Sequence, residues 1–255
     1  MDLELQIKSW FALNDKLVNT GEELLKNFSY FENNQRKLIY EGFLRKGINS
    51  LKAIQLLTRN NYLEQANILT RSLMEDRVSF DYFYQVESKD SSDACQRVRD
   101  AMILDKLKQL ESTNYYDGKL NDGITTREKW EGFKEEINRR YTNDEIKAMS
   151  KYGFSGISVE ERFKRVNLHT AYNEAYRIYS KNVHTFDILE QSASNYMPKN
   201  FYTFFESVSK ITLLYASHVS SGGIIKVNNT LFGNKFLNKI ESIEKEHTTL
   251  RSMIY

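Results

Sequence analysis

The chain predicts an all-α fold: an antiparallel helical bundle of about eight to ten helices in a single domain spanning 1–255. Three observations carry this. Apolar residues recur at three- and four-residue spacing through most of the sequence, the period of a helix with one face on a core. Proline occurs once among 255 residues, so almost nothing interrupts a helical run. Capping signatures recur where helices should begin, whereas the two-residue alternation of strands is nearly absent.

Taken in order, the periodicity predicts helices over 2–27, 31–59, 62–87 and 91–112, the second and third entered through the boxes Ser29 with Glu32 and Asn61 with Glu64. Asp117, Gly118, Asn121, Asp122 and Gly123 carry turn chemistry and mark a surface loop. Helices over 126–141, 143–151 and 159–165 come next, entered through Thr125 with Glu128, Thr142 with Glu145, and Ser158 with Glu161. Gly153 to Gly156 separates the last two. Then come 168–184, a loop from Ser192 to Pro198, and helices over 200–221 and 224–250, with Gly222 and Gly223 ending or hinging the first of these. Short connections between long helices imply antiparallel neighbours around a shared core.

No Gly/Ser-rich or Pro-rich stretch reads as a linker, which favours one domain. The 16 Tyr and 15 Phe supply enough bulk for a sizeable core. A formal charge of +2 gives no long-range field to gather nucleic acid or anionic lipid unaided. Cys95 is the single cysteine, excluding an internal disulfide and a structural zinc cluster and fitting a reducing cytosol. The acidic start Asp2 to Glu4 lacks the features of a secretory signal. The uncharged run 211–225 is shorter than a membrane span and carries Ser217, His218, Ser220 and Ser221, so it reads as a buried helix. A cytoplasmic protein without a membrane segment is expected.

Much familiar chemistry is missing. The phosphate-cradling glycine loops, the serine nucleophile elbow and the zinc-protease H-E-x-x-H are not present. A di-metal carboxylate bundle needs an E-x-x-H on each of two helices, and only Glu244 with His247 has that spacing. The expectation is therefore no metal and no cofactor.

Two helices carry polar residues where burial makes them costly. At about 100° per residue, Arg71 and Glu75 share a narrow sector flanked by Ile68, Met74, Val78 and Tyr82. They can form a self-satisfied i, i+4 ion pair, or Arg71 can grip an anion while Glu75 orients a histidine. On the helix over 168–184, Leu168, Tyr172, Ala175, Tyr179 and Val183 form an apolar stripe. Beside it lie Asn173, Tyr176, Arg177, Ser180 and His184, within about a third of the circumference. Arg177 and His184 are two turns, about 10 Å, apart, room for one phosphodiester. Histidine can exchange protons with a ribose hydroxyl while the arginine fork meets the phosphate, with no metal required. The alternative is a hydrogen-bonded ladder of Tyr176, Ser180 and His184 at the core edge. His169, His218 and His247 read as ordinary surface or core histidines.

Arg71, Ser72, Leu73 and Glu75 on one helix, with Tyr176, Ser180 and His184 at four-residue steps on another, resemble a bacterial all-α family of unknown function. It is the one numbered 5677 among domains of unknown function, and the resemblance covers about 40–220. A looser similarity is to the HEPN superfamily of nucleotide-binding helical domains, whose R-x(4 to 6)-H motif is matched by Arg177 to His184. Ile178 stands where that superfamily usually has a polar residue. The similarity implies a metal-independent endoribonuclease of toxin or anti-phage defence systems, acting on RNA as a homodimer. His184 would then be the general acid/base and Arg177 the phosphate ligand, with Ser180, Tyr176, Asn173, Arg71 and Glu75 supporting. The competing expectation is a non-catalytic binding or regulatory module with a partner protein from the same operon.

Overall fold

The computed structural model describes residues 3–28, 34–113, 126–181 and 201–252. These form ten helices and no strand, so the all-α expectation holds among the described residues. They are α1 (Leu3–Lys26), α2 (Gln35–Arg59), α3 (Leu63–Glu87), α4 (Ser91–Thr113), α5 (Thr126–Arg140), α6 (Asn143–Tyr152), α7 (Val159–Arg165), α8 (169–181), α9 (Phe201–Leu231) and α10 (Leu237–Ser252). The chain divides into two compact units, one of residues 1–80 with 168–255 and one of residues 81–167.

In the first unit, pairings down each helix fix the directions. Asp15 and Glu22 of α1 pair with Arg59 and Lys52 of α2, an antiparallel match. Lys46 and Tyr40 of α2 meet Asp76 and Phe80 of α3, again antiparallel. Lys16 and Glu23 of α1 pair with Glu246 and Lys239 of α10. By contrast, α9 runs parallel to α1 and α3: Asn14 donates to the Leu213 carbonyl, and Asn67 accepts from Thr212 at 2.7 Å. Trp10, Leu13, Leu17, Tyr40, Leu51, Ile54, Val78, Leu213 and Val227 are among the buried residues of this core. Close approach decides two glycines: a Cβ on Gly21 would stand 2.4 Å from Ile48, and one on Gly222 would stand 2.1 Å from the Arg77 guanidinium.

That second approach corrects the expected hinge. Gly222 and Gly223 lie inside an unbroken α9, where Gly222 admits the Arg77 side chain instead of ending the helix. The break comes later, at Gly233 and Asn234, which take left-handed φ of 54° and 66°. No helix among the described residues is long and apolar enough to cross a membrane. The segment 211–225 lies in α9, where Leu213, Ala216 and Ile224 are buried, as expected.

The second unit is built on the end of α3, on α4 to α7 and on a 3₁₀ turn, Gly153–Ser155. Leu104, Leu107, Ile137 and Met149 form a core cluster against which Ile103, Trp130, Tyr141 and Ile146 pack. Asp100, 1 % exposed, accepts from Arg140 at 2.9 and 2.8 Å, from Gln96 at 2.9 Å and from Tyr141 at 3.1 Å, tying α4 to the end of α5. Arg97 donates to the Phe154 carbonyl at 2.8 Å, fixing α4 to the 3₁₀ turn.

The capping signatures fare unequally. Thr142 and Glu145 form a full reciprocal box, and Ser158 accepts from the Glu161 amide. Asn61 does not start α3. It ends α2: at φ 61° its amide reaches the Thr58 carbonyl while the Tyr62 amide reaches Leu57, the paired bonds of a left-handed helix stop. Ser29, Glu32 and Thr125 lie outside the described residues.

Candidate functional site

Arg71 and Glu75 are one turn apart on α3, and their side chains form a 3.0 Å ion pair. They remain 23 % and 33 % exposed, so water reaches both charges. The expected self-satisfied pair is therefore present, and it also reaches across to α8. The Tyr176 hydroxyl donates to Glu75 Oε1 at 2.5 Å and accepts from Arg71 Nη2 at 2.9 Å. Ser180 Oγ accepts from Arg71 Nε at 3.0 Å and donates to the Tyr176 carbonyl at 2.8 Å. The Arg71 guanidinium also lies 5.0 Å from the Tyr176 ring centre, within cation–π range. Two sequence elements, 101 residues apart at Glu75 and Tyr176, thus close into one network.

Local backbone geometry helps bring them together. Helix α8 starts as an α turn, His169–Ala171, widens into a π segment, Tyr172–Tyr176, and returns to α at Arg177–Lys181. The Arg177 amide reaches back five residues to the Tyr172 carbonyl. A π turn shifts the angular register of the residues after it, and such turns are frequent at functional sites. Burial pushes the Tyr176 phenol up to about 12, and the Glu75 carboxylate adds to that rise while Arg71 opposes it. The hydroxyl is therefore protonated near neutral pH and able to donate to Glu75.

Of the residues expected to share a site, Arg71, Glu75, Tyr176 and Ser180 converge. Arg177, on the same helix, is exposed. Asn173 is exposed as well, and its amide nitrogen lies 3.5 Å from His169 Nδ1 instead of joining the Arg71 network. His184 and Val183 lie outside the described residues. Of the expected apolar stripe, Ala175 and Tyr179 are buried and Leu168 and Tyr172 half-buried.

Sequence reasoning passed over a line of rings on the same helix. His169 stacks on Tyr172 with centroids 6.1 Å apart and planes at 10°, and Tyr172 stacks on Tyr176 at 5.1 Å and 18°. Its signal was legible as aromatic rings at 169, 172 and 176, three and four residues apart. His247 is a different case, a buried imidazole stacked on His218 and edge-on to Trp10. Burial first, then the neighbouring His218 and Arg251, lower its pKa to about 4, so it is neutral in the fold. Among the described residues no three His, Cys, Asp or Glu side chains converge as metal ligands would.

A family model described as "Family of unknown function (DUF5677)" matches residues 37–195. That span contains both halves of the network. Comparison with curated proteins and with solved structures gives no match.

Proposed function

The chain belongs to that family of unknown function, and from its site we propose that it is a HEPN-like, metal-independent endoribonuclease of a bacterial toxin or anti-phage defence system. One observation carries the reading. Motifs about a hundred residues apart meet in a polar network that keeps both charges partly in water, on the helix that leads toward His184.

In this reading the Arg71 network is positioning machinery. It anchors α8 through Tyr176 and Ser180, and so sets the direction from which Arg177 approaches RNA. His184, as base, takes the proton of a ribose 2′-hydroxyl while that oxygen attacks the neighbouring phosphorus. The P–O5′ bond then breaks, and a histidinium returns a proton to the leaving 5′-oxygen. The products are a 2′,3′-cyclic phosphate and a 5′-hydroxyl. Arg177 stabilises the charge gathering on the phosphate oxygens. A homodimer would supply a second Arg177 and His184 pair, and the setting would be the cytoplasm.

A second reading has its own support, because the bonds that define the network join its own members to one another. That suits a non-catalytic binding or regulatory module with a partner protein from the same operon. The two separate in one experiment: purified protein is incubated with a mixed RNA pool in EDTA, beside His184→Ala and Arg177→Ala. Cleavage to cyclic-phosphate ends by the wild type, lost in both folded variants, is expected. Undiminished cleavage by His184→Ala would sink the nuclease reading.

A further inference from the structure

We propose that the ring ladder His169, Tyr172, Tyr176 is a base-stacking platform that selects single-stranded RNA. The inference deepens the ribonuclease reading and rests on it for the identity of the ligand. Its own footing is the geometry of α8.

Several core aromatic pairs in this unit meet edge to face, Trp10 with His247 at 79°, Phe28 with Phe232 at 86° and Tyr40 with Phe80 at 89°, while Phe43 tilts on Phe80 at 44° and His218 stacks on His247 at 28°. The α8 ladder differs, with successive planes at 10° and 18°. Its inner end is buried, with Tyr176 next to the Arg71 guanidinium, while its outer member, His169, is exposed. Near-parallel rings thus step from a cationic network out to solvent. They present a flat aromatic group to the next planar one that arrives.

An unpaired base is the planar group that fits this chemistry. Sequence-tolerant recognition of single strands uses aromatic side chains as stacking partners alongside cations that track the backbone. Arg177, exposed and next in sequence to Tyr176, supplies such a cation on the same helix. The Asn173 amide, 3.5 Å from His169 Nδ1, steadies the outer ring. Bases inside a duplex already stack on one another and offer no free face, so the platform discriminates against double strands.

The test uses an oligonucleotide that cannot be cleaved: a short 2′-O-methyl strand carrying 2-aminopurine, whose fluorescence falls when it stacks. It is titrated into wild type, His169→Ala, Tyr172→Leu and Tyr172→Phe, free and as a preformed duplex. Wild type and Tyr172→Phe should quench it. His169→Ala and Tyr172→Leu should bind roughly tenfold more weakly, as loss of one stacking partner implies. Duplex should quench little. Melting curves identify any variant that fails to fold, and Tyr172→Phe retains the ring whatever the fate of Tyr172→Leu.

No quenching by the wild type, or equal quenching by His169→Ala, would overturn the platform. Stacking without RNA cleavage would overturn the nuclease reading alone, whereas cleavage without stacking would overturn the platform alone.

Discussion

Each unit contains an arginine, a carboxylate and a tyrosine bonded together, and the two clusters handle water differently. In the second unit the carboxylate of Asp100 is 1 % exposed and its oxygens take bonds from Arg140, Tyr141 and Gln96. In the first, Arg71 and Glu75 are 23 % and 33 % exposed, and Arg71 divides its contacts between the Glu75 carboxylate and the neutral oxygens of Ser180 and Tyr176. The same residue types thus make a brace around a sealed carboxylate in one place, with its Arg140 partner 37 % exposed, and a network whose carboxylate itself meets water in the other. A buried carboxylate with its bonds satisfied is costly to break and has little capacity left for a ligand. A network in contact with water can exchange a partner at low cost, which is the property a site requires.

The contrast fails if the brace proves dispensable, so its largest consequence is tested first. Asp100→Ala should lower stability by about 3 kcal/mol, because Tyr141 and Gln96 lose their acceptor and Arg140 the buried one of its two carboxylates, keeping only Glu136. Urea midpoints measure this. Glu75→Gln should cost about 1 kcal/mol or less by the same measure, since water replaces the lost charge. A larger loss for Glu75→Gln than for Asp100→Ala would reverse the assignment of brace and site.

A second test asks in what respect the clusters are alike. Burial is the main cause that pushes both Tyr141 and Tyr176 up to about 12 from 10.0. The unfolded phenols ionise near pH 10 while the folded ones hold their protons, so each tyrosine's contribution is intact below about pH 10 and lost as pH rises through about 12. Between about pH 9 and 11 each should cost the fold about 1 kcal/mol. Tyr141→Phe and Tyr176→Phe should each flatten that alkaline fall in urea midpoint. A variant that leaves the slope unchanged shows that its tyrosine ionises as an ordinary exposed phenol.

How much of this is legible in the sequence differs by scale. Helical periodicity locates nearly every described helix, because a buried face repeats its pattern over many residues. The hinge expected at Gly222 is misplaced because a glycine admitting Arg77 looks in sequence like one that ends a helix. Asn61 reads as a start although it is a stop, since both roles favour the same short polar residue. Arg71 and Glu75 stand out as charges among apolar neighbours on their helix, and Tyr176 and Ser180 as part of a polar strip beside an apolar stripe on theirs. The brace at Asp100 does not: its arginine and tyrosine come from α5 and the residue after it, and nothing local to α4 announces them. Nor does spacing alone reveal the π segment, without which Asn173 falls on the polar strip it does not join.

The smallest expected effect is the most discriminating. Ser180 Oγ is part-buried, donating to its own helix and accepting from Arg71. Ser180→Ala removes one bond to a charged group that water can partly replace, so stability should fall by about 1 kcal/mol or less. If the network serves only to hold α8 on α3, RNA cleavage should track that small change and barely move. If it aims α8, Arg71 loses its Nε partner and tilts toward Tyr176, and cleavage should fall about tenfold or more while the melting temperature shifts by only a few degrees. Ser180→Thr, which keeps the hydroxyl, should restore activity. A loss of rate out of proportion to stability, and recovered by threonine, is what a positioning role predicts and a packing role does not.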